Sequence, residues 1–108
     1  MLSTVEKVKR LEGYLAISNI TVDPVIELTI NKLLMREYER VAEIKHRLNT
    51  EMTQFEQQYA MNSNSFHQRY ETGELGDEMD FIEWSATLEM LKQIEKQLAW
   101  LETARDDQ

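Results

Sequence analysis

Apolar residues recur every three or four positions along two long stretches of the chain. The first stretch runs from Val25 to about Ala60, and its apolar row is Ile30, Leu34, Tyr38, Val41, Ile44, Leu48, Met52, Phe55 and Tyr59. The second runs from Glu78 to about Ala104, and its row is Phe81, Trp84, Leu88, Leu91, Ile94, Leu98 and Leu101. This spacing is typical of amphipathic helices that pair as in coiled coils. Because neither stretch contains Gly or Pro, each predicts one uninterrupted helix.

Helix-start signals precede both rows. Asp23-Pro24 combines an N-cap residue with Pro at the first helical position, where no backbone donor is lost. Asp77 is predicted to cap the second helix, with Glu78 and Asp80 in its first turn complementing the helix dipole. At a rise of ~1.5 Å per residue the first helix is too long for a compact globule. We therefore predict that the two helices form a long antiparallel hairpin.

The segment that leads from the first row into the start of the second, residues 63–84, predicts a corner. It holds two of the three Gly, two of the three Phe and one of the two Trp. Thr72-Gly73 is typical of a helix end with a left-handed Gly, which predicts a short corner helix before it. We expect the acids of this segment to face solvent and its aromatic residues to fill a core: Phe66, Tyr70, Phe81 and Trp84.

Residues 1–22 support two interpretations. Ser3-Thr4-Val5-Glu6 fits a capping box, and apolar residues follow at helical spacing, which predicts a short helix. Residues 14–17 and 20–22 are instead rich in β-formers, which favours a strand or extended arm, and residues 105–108 are predicted to be a frayed tail.

Together these patterns predict an all-α protein with two segments. Residues 1–22 form an N-terminal arm or short helix, and residues 23–108 form the helical hairpin domain. A hairpin buries only one apolar stripe on each long helix, so we expect self-association into a homodimer or a higher oligomeric bundle.

The chain carries a formal charge of −8, and this charge is unevenly distributed. Residues 1–48 contain 8 Lys and Arg against 7 Asp and Glu, whereas residues 49–108 contain 4 against 13. An acidic half repels phosphate backbones and suits a basic partner. Nucleic acid is therefore not expected, except through residues 1–22, where Lys7, Lys9 and Arg10 are the candidates. A basic row on the first long helix is interleaved with acids, which predicts ion pairs within that helix: Lys32, Arg36 and Arg40 with Glu37, Glu39 and Glu43.

Localisation is predicted from two absences in the sequence. No stretch approaches the ~20 apolar residues of a membrane span, and the charged N-terminus lacks the apolar run of a signal peptide. We expect a cytoplasmic protein without a membrane partner.

Residues that commonly carry catalysis are scarce in this chain. It has no Cys, two His and no Gly-rich phosphate loop, so we expect neither an enzyme nor a cofactor. A metal-binding helical bundle ranks third among the functions considered for this chain, and it is suggested by Glu43 and His46, which have the Glu-x-x-His spacing of carboxylate bundles. The second Glu-x-x-His motif that such a bundle needs is missing, since Asn64 rather than Glu lies three residues before His67. No metal site is predicted at the acidic segment either: with Gly76 as the sixth residue of an EF-hand loop, Gly73 and Leu75 fall where ligands are needed.

The corner carries a motif that resembles a known group of proteins. The motif is Phe66-x-x-x-Tyr70-Glu71-x-Gly73-Glu74-Leu75-Gly76-Asp77-Glu78-x-Asp80-Phe81-Ile82-Glu83-Trp84. It resembles small uncharacterised prokaryotic helical proteins that look like the antitoxin components of toxin–antitoxin operons. The resemblance implies a non-enzymatic module that binds a basic, toxin-like protein. Its partner-binding residues would be five acids, Glu71, Glu74, Asp77, Asp80 and Glu83, with Phe81 and Trp84 as anchors. The alternative function is a structural homo-oligomer, in which the apolar rows serve only for packing within and between copies of the chain.

Overall fold

The computed structural model describes residues 1–18 and 22–106, and within them the chain forms four helices and no strand. The helices are α1 (Thr4–Ala16), α2 (Pro24–Tyr59), α3 (Ser63–Glu71) and α4 (Met79–Asp106). The predicted all-α class is confirmed. None of these helices has the combined length and apolarity that crossing a bilayer requires. Proximity of Cα atoms divides the chain into two compact units, Met1–Leu33 and Leu34–Gln108.

The first unit contains α1 and the start of α2, and both begin with the predicted caps. The Ser3 hydroxyl accepts from the Glu6 N–H at 3.1 Å, while the Glu6 carboxylate accepts from the Ser3 N–H at 3.2 Å. The Asp23 carboxylate accepts from the Val25 N–H at 2.8 Å. Because α1 extends to Ala16, the strand alternative is wrong for residues 14–16. Residues 20 and 21 of the second β-rich segment lie outside the described residues.

The second unit contains the helical hairpin, in which the remainder of α2 packs antiparallel to α4. Val41 and Leu48 of α2 are buried, as are Leu91 and Leu98 of α4. A hydrogen bond also joins α2 and α4 away from the corner, where the Tyr38 hydroxyl donates to the Glu102 carboxylate at 3.4 Å. The buried positions belong to the two apolar rows, so the predicted pairing of those rows is confirmed.

Left-handed residues separate the helices of the corner. Ala60 directly follows α2 and has a φ of 51°, and the N–H of the next residue, Met61, donates to the Glu56 carbonyl at 3.2 Å. Gly73 follows α3 with a φ of 78° and donates its N–H to the Tyr70 carbonyl at 3.0 Å. The Glu74 N–H donates to the Arg69 carbonyl at the same distance. This pair of bonds is a Schellman motif, which satisfies two carbonyls at the end of α3.

The limits of α4 differ from prediction by about one residue at the start. The helix begins at Met79 rather than Glu78, and the Glu78 carbonyl accepts from the N–H groups of Phe81 and Ile82 at 3.0 and 3.1 Å. Glu78 therefore holds the capping position predicted for Asp77. Residues 105 and 106 of the predicted frayed tail are helical, and residues 107 and 108 lie outside the described part of the chain.

Candidate functional site

An aromatic cluster joins α2, α3 and α4 beneath the corner. Trp84 and Phe66 are fully buried, and their rings stack with centroids 3.9 Å apart and planes inclined by 5°. Phe55 of α2 stacks on the same indole at 5.7 Å. The indole N–H donates to the Ser63 hydroxyl at 3.0 Å, which satisfies the one polar atom of Trp84. The Trp84 side chain of α4 thus contacts both α2 and α3.

Phe81 belongs to the same cluster. It is 8% exposed, and its ring lies 5.1 Å from that of Tyr59 and 5.8 Å from that of Phe66. The core role predicted for Phe66, Phe81 and Trp84 is therefore confirmed, while Tyr70 is half-buried against Phe66. With their rings enclosed, Phe81 and Trp84 offer no free ring face to a partner, so they position the corner rather than anchor a bound protein.

Asp80 is half-buried and bonds to the end of α2. Its carboxylate accepts from the Tyr59 hydroxyl at 2.5 Å and from the Gln58 side-chain amide at 3.3 Å. The bond to Asp80 raises the pKa of Tyr59 to about 12, with further contributions from burial and from the negative charges of Asp80 and Glu78. Asp80 thus connects the start of α4 to the end of α2 through hydrogen bonds.

The remaining acids of the segment are exposed and form what we call the acidic corner: Glu71, Glu74, Asp77, Glu78 and Glu83. Glu74 lies 3.4 Å from the Arg69 guanidinium, and Glu71 lies 4.0 Å from the His67 ring, which pairs with it only when protonated. Within residues 1–18 and 22–106, the other three make no ion pair. The acidic corner therefore retains most of its negative charge for solvent or a partner.

The other candidate residues are located on α1 and α2. Glu43 and His46 are exposed on α2, and no group of three or more potential metal ligands converges within the described residues. Lys7, Lys9 and Arg10 are exposed on α1.

One of the predicted ion pairs in the basic row of α2 is present. Arg40 bonds to Glu37 at 2.9 Å, and this bond holds the pKa of the Glu37 carboxyl below its usual value.

A feature that sequence reasoning did not single out is the exposed apolar surface of the first unit. On α1, Val5 and Val8 are 63% and 59% exposed, and no residue of the helix is buried. On the start of α2, Val25 and Leu28 are also more than half exposed. The spacing of the two valines was visible in the sequence, but their exposure was not, since the same pattern describes a buried helix face.

A scan against protein-family models and searches of curated proteins and of solved structures found no match to this chain.

Proposed function

We propose that the protein is a non-enzymatic protein-binding module, similar to an antitoxin, that presents its acidic corner to a basic partner protein. The observation that carries the proposal is the charge of residues 71–83. This segment contains six acids and no Lys or Arg, and five of the six acidic side chains are exposed. A one-sign surface of this kind steers a basic partner towards it and disfavours acidic ones.

The backbone beneath these carboxylates supports the proposal, because it is held in place before any partner binds. The Schellman motif at Gly73 ends α3, and the Phe66–Trp84 stack ties α3 to α4. Asp80 bonds in turn to Tyr59 at the end of α2. A surface that is already ordered loses little conformational entropy on binding, so more of its electrostatic attraction contributes to affinity.

The partner predicted by this surface is a protein with clustered Lys and Arg. In the antitoxin-like interpretation, the acidic corner covers a basic groove of a toxin and blocks it sterically. Carboxylates at a solvent-exposed rim act mainly on the association rate, and salt weakens their effect. The proposal therefore predicts an association that slows steeply as ionic strength rises.

The direct test is to co-express the chain with the product of the adjacent gene and to measure binding of the purified pair by calorimetry. The informative variant is Glu71→Gln/Glu78→Gln/Glu83→Gln, which removes three charges without changing side-chain length. We expect affinity to fall roughly tenfold or more at low salt, because one exposed charge pair contributes up to about 1 kcal/mol. The salt dependence of the association rate should fall with it.

The matched control is Glu43→Gln/Glu89→Gln/Glu95→Gln, in which three exposed acids outside the corner are neutralised. Both triple variants change the net charge by the same amount, so only a localised surface distinguishes them. Equal loss of binding in the two variants would show that total charge matters and the corner does not. Failure of the neighbouring protein to bind at low salt would overturn the proposal.

A further inference from the structure

The helix α1 is amphipathic, and the first three residues of its apolar row are exposed, whereas Leu15 near its end is half-buried. Val5, Val8 and Leu11 follow one another at three-residue intervals, which brings them to one side of the helix. They are 63%, 59% and 38% exposed. Isolated helices of about 12 to 15 residues are only marginally stable in water, and α1 has 13. Its capping box helps, but a lasting helix of this length needs a surface to pack against.

The start of α2, in the same unit, adds a second exposed apolar region. Val25, Leu28 and Leu33 are 69%, 56% and 55% exposed. Soluble monomers rarely expose extensive apolar surface, and such surface usually marks an interface. The described residues of this unit, 1–18 and 22–33, therefore carry two exposed apolar regions, one on each helix.

The distribution of charge favours a second copy of the chain as the partner of these two regions. Residues 1–33 contain four Lys and Arg and four Asp and Glu, whereas residues 34–108 contain eight and sixteen. Two copies of the chain therefore repel through the second unit but not through the first. Within the first unit, α1 has one more base than acid, through Lys7, Lys9 and Arg10, while residues 22–33 have one more acid than base, through Asp23 and Glu27. These opposite signs are self-complementary, because a two-fold axis applies the contact twice.

We propose that a second copy of this chain covers the apolar residues of the first unit. In the resulting two-fold dimer, α1 of each protomer packs its Val5–Val8–Leu11 face on the first unit of its partner, near Val25 and Leu28. This surface shares no residue with the acidic corner, so the dimer does not depend on the proposed function.

The test is sedimentation equilibrium of the full chain and of the variant Val5→Gln/Val8→Gln. Gln has a higher helix propensity than Val, so the substitution removes apolar surface without weakening α1 intrinsically. We expect the wild type to dimerise and the variant to dissociate roughly tenfold or more easily, because each two-fold interface loses four apolar side chains. The control is Ile82→Gln/Met90→Gln, which removes two residues of α4 that are 45% and 48% exposed. This control should dimerise like the wild type.

One further measurement follows from the same geometry. Dilution should lower the helical signal in circular dichroism, because α1 loses its partner. A chain that stays monomeric at its highest soluble concentration would overturn the proposal. So would a dimer that Val5→Gln/Val8→Gln leaves intact, or one that Ile82→Gln/Met90→Gln weakens equally.

Discussion

Tyr59 is the last residue of α2, and its hydroxyl donates to the Asp80 carboxylate near the start of α4. An ionised Tyr59 cannot donate this bond and would place a second negative charge beside Asp80. The folded chain therefore favours neutral Tyr59, and its pKa rises from 10 to about 12. A group whose pKa is higher in the folded state stabilises the fold fully below its unfolded pKa. This contribution is thus complete below pH 10 and is lost as the pH rises from 10 through about 12.

Replacing Asp80 by Asn should lower the pKa of Tyr59 towards 10, because the hydrogen bond to the Asp80 carboxylate is the largest cause of the shift and the neutral Asn amide is a weaker acceptor. The measurement is an absorbance titration of tyrosinate, with Tyr59→Phe identifying the component that belongs to Tyr59. Asp77→Asn is the control, since Asp77 is exposed and is not among the groups that shift Tyr59. If the Tyr59 component titrates unchanged in Asp80→Asn, this bond does not hold the hydroxyl neutral.

Ala60 has a left-handed backbone at the end of α2, and Gly is the residue best suited to that conformation. A Cβ in this region costs about 1–2 kcal/mol. Gly avoids this cost but loses more backbone entropy on folding, so the net gain in stability is smaller. We expect Ala60→Gly to raise the free energy of unfolding by about 0.5–1 kcal/mol in urea denaturation. Ala99→Gly, in the interior of α4, should lower it by about 1 kcal/mol. Loss of stability in both variants would contradict a strained Ala60.

At the scale of elements, α3 is a nine-residue helix held to the hairpin mainly through Phe66. The Phe66 ring is fully buried and contacts Trp84, Phe81 and Tyr70. A helix of this length is not stable by itself in water. The position of the acidic corner, which begins at the last residue of α3, therefore depends strongly on the contacts of this buried ring.

Phe66→Ala should destabilise the second unit by about 3–5 kcal/mol, since it leaves a cavity beside the Trp84 indole. Phe66→Leu keeps most of the apolar volume and should cost about 1–1.5 kcal/mol, so it remains measurable if the alanine variant fails to fold. Trp100→Ala is the surface control, because its side chain is 81% exposed. Urea denaturation followed by circular dichroism should rank the three in this order, and an equal cost for Phe66→Ala and Trp100→Ala would refute the role given to α3.

The sequence predicted elements whose signals are local and missed features that depend on distant contacts. Asp23-Pro24 and Thr72-Gly73 mark helix limits because their own backbone preferences do so. Ala60 carries no such signal, since Ala is the best helix former and its left-handed φ is imposed by the chain around it. At the candidate site, the pattern correctly predicted exposure for five of the six acids, but Asp80 is half-buried. The partner of Asp80, by contrast, is 21 residues away on another helix, so no local pattern revealed it.

At the scale of the whole molecule, the exposed apolar surface of α1 and the net negative charge lie in different units. Residues 1–33 are neutral and bury no side chain of α1, whereas residues 34–108 carry the net charge of −8 and the aromatic cluster. Burial of this kind sets local stability, because a segment with few buried contacts opens at low free-energy cost. The two units should therefore differ in the free energy at which they open, even though α2 is continuous through both.

Hydrogen exchange measures this difference directly. In the Val5→Gln/Val8→Gln variant, where the proposed dimer is absent, amides of α1 should exchange at nearly the rates of an unfolded peptide. Amides around Val41, Leu48 and Leu91 should exchange only through global unfolding, since these side chains are buried in the hairpin. In the wild type at high concentration, the amides of α1 should become protected while those of the hairpin stay unchanged, because association adds contacts only to the first unit. Uniform protection of α1 and the hairpin in the variant would mean that α1 is stabilised within its own chain, and the need for a second copy would disappear.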